Sequence, residues 1–122
     1  MDDKATILYI DDERINVTLF EINFKKKFNV LCAQSGIEGL EILKANPQIK
    51  IILTDMKMPG MNGIEFVTKA KNSYPDKIFF ILTGYGLIPE IGEALKSQLI
   101  HNYFSKPFNI KEIEKSILSL LN

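Results

Sequence analysis

The chain has 122 residues, with 15 basic and 15 acidic side chains and hence no formal net charge. That length suits one domain with a single core, and the balanced charge gives no indication of a nucleic-acid or membrane-surface partner. The single cysteine excludes an internal disulfide framework and is typical of a reducing compartment. Because the acidic N-terminus has no apolar segment behind it, and no apolar run approaches the roughly 20 residues of a membrane span, we expect a cytoplasmic protein.

Short apolar runs alternate along the chain with segments of helical periodicity. The apolar runs predict buried strands at 6–10, 29–33, 50–54, 77–83 and 101–105. Apolar residues three or four positions apart predict helices at 13–28, 35–47, 63–75, 88–99 and from 109 onward. In the first of these helices, the apolar residues at helical spacing are Ile15, Leu19 and Ile22.

Five repeats of a strand followed by a helix predict a parallel sheet, because each connection is long enough for a crossover. Right-handed crossovers then place helices on both faces of the sheet. The expected fold class is therefore α/β, as a flavodoxin-like doubly wound (βα)5 fold with strand order 2-1-3-4-5. We expect one domain over residues 1–122, with no second domain after the last helix.

Candidate site residues follow four of the five predicted strands, whereas the second strand ends in Gln34 and Ser35 and contributes no charge. Asp11 and Asp12 end the first strand, Asp55 the third, Thr83 the fourth and Lys106 the fifth. In an open parallel sheet the carboxyl ends of the strands share one edge, where ligands bind. The sequence therefore predicts that these five side chains meet in one cleft, although they are far apart along the chain.

Three carboxylates at one edge repel each other, and either protonation or a bound cation must relieve that repulsion. Oxygen ligands of this kind suit Mg²⁺, which takes one or two carboxylates together with a phosphate. Lys106 offers a compact positive charge to a phosphate oxygen, and Thr83 offers a hydroxyl. This combination indicates phosphoryl transfer, with Asp55 as the nucleophile that forms an aspartyl phosphate.

Four sequence stretches resemble the response-regulator receiver domain of two-component signalling. These are IDDE at 10–13, LTDMKMPGMNGIEF at 53–66, LTG at 82–84 and YFSKPF at 103–108. The resemblance covers the whole chain and implies that Asp55 accepts a phosphoryl group from a histidine of a sensor kinase or a phosphotransfer protein. It also implies a phospho-accepting signalling switch without an output domain, which catalyses only its own phosphorylation and dephosphorylation.

The resemblance assigns roles to the residues around Asp55. It implies that Asp12 and Asp55 bind Mg²⁺ (or Mn²⁺) directly, that the backbone carbonyl of Lys57 is a third ligand, and that Asp11 acts largely through a bound water. Lys106 would contact the phosphate and form a cis peptide bond with the proline after it.

Two further features of the resemblance concern switching and partners. Thr83 and Tyr103 match the switch pair, in which the hydroxyl moves to the phosphate and the aromatic ring turns inward. Phosphorylation would then change the surface of the fourth helix, which carries Ile91 and Leu95, together with the fifth strand and the fifth helix, and so control a downstream protein or a homodimer. The positions that resemble kinase contacts are Ile15, Asn16, Leu19, Pro107 and Phe108.

Two positions near the predicted nucleophile carry a separate hypothesis. Lys57 lies two residues after Asp55 and Tyr85 lies two residues after Thr83. We hypothesise that this cation and this ring shield the acyl phosphate from water and slow its hydrolysis.

Two other functional classes stay open at this point. A haloacid-dehalogenase-type phosphatase also uses a strand-end aspartate and Mg²⁺, but it needs a D-x-D motif, whereas Asp11 and Asp12 are adjacent. A phosphate-independent interaction module would not need the set of Asp12, Asp55, Thr83 and Lys106. The pathway is also open, since the chain resembles a chemotaxis-like regulator, a phosphorelay intermediate and a piece of a longer protein equally well.

Overall fold

The structure is a computed structural model that describes residues 4–121; the remaining residues of the predicted domain, 1–3 and 122, lie outside the described part. Over residues 4–121, five strands alternate with five helices. The strands are β1 (Ala5–Ile10), β2 (Phe28–Ala33), β3 (Ile51–Asp55), β4 (Ile78–Thr83) and β5 (Asn102–Ser105). The helices are α1 (Arg14–Phe24), α2 (Gly36–Ala45), α3 (Gly63–Ser73), α4 (Pro89–Lys96) and α5 (Ile110–Leu121). Among the described residues, no helix is both long and apolar enough to cross a bilayer.

The five strands form one parallel sheet in the order β2-β1-β3-β4-β5. The chain thus moves from β1 outward to β2, returns to β3 on the other side of β1, and continues to β5. This order and the alternation of strands with helices confirm the predicted doubly wound fold.

Two apolar layers cover the two faces of the sheet. On one face α1 and α5 contribute Phe20, Phe24, Ile113 and Ile117. The other face packs against residues of α2, α3 and α4, among them Leu43, Phe66, Val67, Ala70, Ile91 and Ala94. Successive residues of the central strands enter opposite layers, so these strands are apolar throughout, as expected for a sheet buried on both sides.

The apolar stripe of α1 that the sequence pattern singled out faces solvent. Ile15, Leu19 and Ile22 are 67%, 47% and 56% exposed, whereas Phe20 and Phe24 are fully buried. The helix therefore packs by its aromatic side, on which the two rings stack with their centroids 4.3 Å apart. The aliphatic side is left uncovered.

Side-chain caps fix the starts of three helices. Ser35 accepts a hydrogen bond from the backbone N–H of Glu38 at the start of α2, and Asn109 does the same for Glu112 at the start of α5. At the start of α3, the residues 62 and 65 form a reciprocal capping box. This box sets where α3 begins, directly after the loop that follows β3.

Candidate functional site

The register of the sheet brings the predicted site residues to one edge. Ile10 lies opposite Thr54, so the residues that follow them, Asp11 and Asp55, stand at the same level of neighbouring strands. On the other side of β3, the last residue pair between β4 and β5 is Thr83 with Ser105, and Lys106 follows directly after it. The structure therefore places all five predicted residues at the carboxyl edge of the sheet. We call Asp11, Asp12, Asp55, Thr83 and Lys106 the rim site.

Backbone hydrogen bonds fix the strand ends that carry the rim site. They continue the ladders one residue beyond the strands, from Asp11 N to Ala33 O (3.1 Å), Met56 N to Leu82 O (3.0 Å) and Lys106 N to Thr83 O (2.9 Å). The hydrogen bonding of the sheet thus holds the backbone at these strand ends.

Three carboxylates converge at the rim site. One oxygen from each of Asp11, Asp12 and Asp55 lies within 4.8 Å of the other two. Asp11 is fully buried and Asp55 is 7% exposed, so water screens their mutual repulsion poorly. A compact set of carboxylate oxygens in this environment has the donor chemistry of a site for a hard divalent cation such as Mg²⁺ or Mn²⁺.

Lys106 is the counter-charge of the cluster. Its Nζ lies 3.0 Å from Asp55 Oδ1 and 3.4 Å from Asp11 Oδ2. Burial raises the pKa of Asp55, although the hydrogen bond from Lys106 acts in the opposite direction. For Lys106, burial by itself lowers the pKa, but the bond to Asp55 and the charge of Asp11 raise it overall, so the ammonium stays charged.

Asp11 has two further partners inside the protein. Its Oδ2 accepts a 2.7 Å hydrogen bond from the Tyr9 hydroxyl, and its Oδ1 accepts one from the backbone N–H of Glu13. The apolar run at 6–10 predicts only a buried strand, so sequence reasoning missed the contact of Tyr9 with the site. The signal was present, since side chains two apart in a strand share a face and a buried phenol needs a hydrogen-bond partner.

The residues predicted to switch or to shield the site differ in their exposure. Thr83 is buried and its Oγ1 accepts a hydrogen bond from the backbone N–H of Tyr85 at 3.0 Å. The exposed Tyr85 ring lies under the Lys57 ammonium, 4.6 Å from nitrogen to ring centroid. Tyr103 is half-buried and packs against the layer that contains Ile91 of α4.

Gly63 allows α3 to approach the backbone of the predicted nucleophile. A Cβ at this position would lie 2.5 Å from the carbonyl oxygen of Asp55 and 3.1 Å from Met56 Cα. The Gly63 N–H also donates to Met56 O at 2.8 Å. The start of α3 therefore seats directly against the end of β3.

Four of the five predicted kinase-contact residues line one surface cavity. This cavity of about 440 Å³ is formed by Asn16, Leu19, Lys106, Pro107 and Phe108. The fifth residue, Ile15, is exposed on the same helix but does not line the cavity. The Lys106–Pro107 peptide bond is cis, as the resemblance implies.

Comparison with known proteins places this geometry in a family. The sequence model of the response regulator receiver domain matches residues 7–118. The chain is 35% identical over 95 residues to a chemotaxis protein CheY homolog of Campylobacter jejuni, across 76% of this chain and 72% of that protein. It is 33% identical over 117 residues to sporulation initiation phosphotransferase F of Bacillus subtilis, across 94% and 92%.

Other relatives are much longer than this chain. The chain is 29% identical over 107 residues to the hydrogenase transcriptional regulatory protein HoxA of Cupriavidus necator, across 88% of this chain but 22% of HoxA. Among solved structures, a response regulator receiver domain protein of Clostridium thermocellum has a TM-score of 0.88 and 32% identity, across 94% of this chain and 92% of that one. The family model matches nearly the whole chain, and the relatives and the solved structure agree with it. The chain therefore belongs to the response regulator receiver domain family of two-component signalling, a family of signalling switches rather than classical enzymes.

Proposed function

We propose that this receiver accepts a phosphoryl group on Asp55 in a Mg²⁺-dependent reaction. The observation that carries the proposal is the rim site itself, in which a nearly buried Asp55 lies 3.0 Å from Lys106 and within 4.8 Å of two other carboxylates. Burying several carboxylates together destabilises the folded protein. A function in binding a cation and a phosphoryl group explains why the chain nevertheless has this cluster.

The proposed reaction is a transfer between two nucleophiles. A carboxylate oxygen of Asp55 forms a bond to phosphorus, while the bond from phosphorus to the donor's histidine nitrogen breaks and the imidazole keeps the electron pair. Lys106 would stabilise the charge on a phosphoryl oxygen, and Asp12, Asp55 and the Lys57 carbonyl would hold the cation. When bound, Mg²⁺ supplies charge neutralisation and orientation, which are the main sources of catalysis in phosphoryl transfer. Attack of water on the acyl phosphate restores Asp55 and releases phosphate.

The proposed switch starts from Thr83. Its hydroxyl would turn from the N–H of Tyr85 to a phosphoryl oxygen, and Tyr103 would turn further inward behind it. The surface of α4, β5 and α5 would then change, because Tyr103 already packs against the layer that Ile91 and Leu95 help to form. A downstream protein, or a second copy of the chain, would read this change.

The proposed donor docks over α1 and the segment after β5. The cavity beside Lys106 offers the apolar side chains of Leu19, Pro107 and Phe108 next to the rim site. A sensor kinase or phosphotransfer protein would thereby bring its phosphohistidine to Asp55.

The pathway stays open among the alternatives that the sequence allowed. The three relatives reported above are named as a chemotaxis protein, a phosphotransferase and a transcriptional regulator, so their names correspond to three different pathways. We keep the receiver domain over residues 1–122 and a cytoplasmic location, which the free thiol of Cys32 fits, as parts of the proposal.

Intact mass after incubation with acetyl phosphate tests this function. The wild-type protein should gain one phosphoryl group in the presence of Mg²⁺, and neither the Asp55→Asn variant nor the wild type with a chelator should gain any. Label retained in Asp55→Asn would mean a different acceptor. No label on a folded wild type that binds Mg²⁺, from acetyl phosphate or from a panel of histidine kinases, would favour the phosphate-independent module. Continuous turnover of an excess of a phosphate ester would instead favour the phosphatase.

A further inference from the structure

Tyr9 is a fully buried phenol on the strand that leads into the rim site. Its hydroxyl donates to Asp11 Oδ2 at 2.7 Å, a distance typical of a hydrogen bond to a charged acceptor. Burial and the bond to Asp11 raise the pKa of Tyr9, so the phenol stays protonated and remains a donor. The chain has eight phenylalanines, which fill space with a ring alone. At position 9 it has a tyrosine, which adds a hydroxyl to the ring inside the core.

Both oxygens of Asp11 are occupied by groups of the protein. Oδ1 accepts from the Glu13 N–H at 3.0 Å, and Oδ2 accepts from Tyr9 and from Lys106. On Oδ2, the phenol is the closer donor, since the ammonium of Lys106 lies at 3.4 Å. Lys106 lies nearer to Asp55, at 3.0 Å. Tyr9 and Lys106 therefore share Asp11 Oδ2, with the phenol as the nearer donor and Lys106 closer to Asp55 than to Asp11.

We propose that the Tyr9 hydroxyl is a positioning group of the rim site, which holds Asp11 through Oδ2 and thereby leaves the Lys106 ammonium closest to Asp55. This inference rests on the proposed function, because it assigns Tyr9 a role in preparing Lys106 for the phosphoryl group. It also predicts that Tyr9 weakens cation binding, since its donated proton offsets part of the Asp11 charge that faces the metal site.

The ring of Tyr9 is held so that its hydroxyl has little freedom. It stacks parallel on Phe20 with the centroids 4.0 Å apart and meets the edge of Phe108 at 6.0 Å. Phe108 in turn packs against Phe20 at 5.7 Å. Since these contacts involve only the ring, a Tyr9→Phe substitution keeps them and removes the hydroxyl alone.

Two measurements on Tyr9→Phe test the proposal. Calorimetric titration of the unphosphorylated protein with Mg²⁺ should show binding that is about three- to tenfold tighter than in the wild type, the order of the net contribution of one hydrogen bond. The rate constant of phosphorylation by acetyl phosphate at saturating Mg²⁺ should fall by a similar factor, because Lys106 moves toward Asp11. If the Tyr9 hydroxyl had a purely structural role, its loss would lower the Mg²⁺ affinity and the phosphorylation rate together. Replacement of Tyr9 alone by a fluorotyrosine, a stronger donor, should shift Mg²⁺ affinity in the opposite direction.

Tyr74→Phe is the matched control, since it removes a phenol hydroxyl at the end of α3, away from the rim site. It should leave both quantities within about twofold of the wild type, a difference of less than half a kcal/mol. Unchanged or weaker Mg²⁺ binding in Tyr9→Phe would overturn the proposal, as would an unchanged phosphorylation rate. If the wild type takes no label at all, the proposed function fails, while the Mg²⁺ titration still decides whether Tyr9 acts on Asp11.

Discussion

Asp55 is a residue that the folded protein holds at a cost to its stability. Its pKa is raised chiefly by burial, so the folded state binds a proton more tightly than the unfolded state does. The stabilising contribution of that proton is complete below the ordinary pKa of an aspartate and is lost as the pH rises through the raised value. At neutral pH the ionised carboxylate therefore destabilises the fold.

The Asp55→Asn substitution should increase the free energy of unfolding at pH 7 by about 1 kcal/mol, the usual gain when a strained functional group is removed. The gain should shrink as the pH falls toward the carboxyl range, because Asp55 itself becomes neutral there. Urea unfolding of both proteins at several pH values without Mg²⁺ measures the difference. A loss of stability in the variant would show that the ion pair with Lys106 outweighs burial and repulsion from Asp11.

Lys57 and Tyr85 form a contact at the mouth of the rim site. The ammonium lies 4.6 Å from the ring centroid, so the two side chains stabilise each other. On the shielding hypothesis, this pair covers the route by which water would reach an acyl phosphate on Asp55. Lys57→Ala and Tyr85→Ala should each release phosphate faster than the wild type, by about two- to fivefold, the range of a cation–π pair at an exposed site. Loss of label over time, followed by intact mass, measures the rate. Release no faster than in the wild type would refute the shield.

At the residue scale, the rim site was predictable because its members end strands and are polar. The neighbours that tune it were harder to identify. Tyr9 belongs to an apolar run, and only its exact pairing with Asp11 distinguishes it from a core ring. Gly63 follows a turn-rich loop, and its closeness to Asp55 depends on how α3 docks on the sheet, which no local pattern specifies.

At the element scale, α3 and the end of β3 act as one unit. Gly63→Ala should destabilise the protein by about 1–3 kcal/mol, because the added methyl group would lie 2.5 Å from the Asp55 carbonyl oxygen. This oxygen belongs to the backbone and cannot move away without disturbing the end of β3. Phosphorylation of Asp55 should also slow down, since relief of the clash moves the nucleophile.

Gly92→Ala is the matched control for that substitution. Gly92 lies inside α4, and a Cβ there would meet only Leu87 Cδ1 at 4.0 Å. This variant should therefore gain about 0.5–1 kcal/mol through the higher helix propensity of alanine. Urea unfolding of the two variants checks the contrast. Equal effects at both positions would show that the close approach of α3 to Asp55 is unimportant for stability.

The orientation of α1 could not be predicted from its own sequence. Two sets of residues have helical spacing on this helix, an aliphatic one with Ile15, Leu19 and Ile22 and an aromatic one with Phe20 and Phe24. Tertiary packing decides between them, because Tyr9 and the α5 side of the sheet provide partners for rings. The aliphatic set is consequently displayed to solvent, and such exposed apolar stripes mark binding surfaces.

At the scale of the whole molecule, the doubly wound order separates two surfaces around one site. α1 and the segment after β5 line the cavity beside Lys106 on one face of the sheet, while α4 lies on the opposite face. A donor that docks as proposed on the first surface would leave α4 uncovered. The strand order followed from the sequence, but the separation of surfaces depended on helix orientations that only the structure gives.

This separation predicts that the donor surface can be disabled without harm to the chemistry. Leu19→Ala, and Ile15→Ala beside it, should slow phosphotransfer from a histidine kinase or phosphotransfer protein by about tenfold, the effect of losing roughly 1.4 kcal/mol of interface contact. Labelling by acetyl phosphate should be unchanged, since neither side chain belongs to the rim site. Ile37→Ala, a similarly exposed aliphatic residue on α2, is the control and should affect neither reaction. Initial rates with both donors measure the contrast. Equal losses with acetyl phosphate would place the defect in the site, and no loss with the protein donor would move the docking surface away from α1.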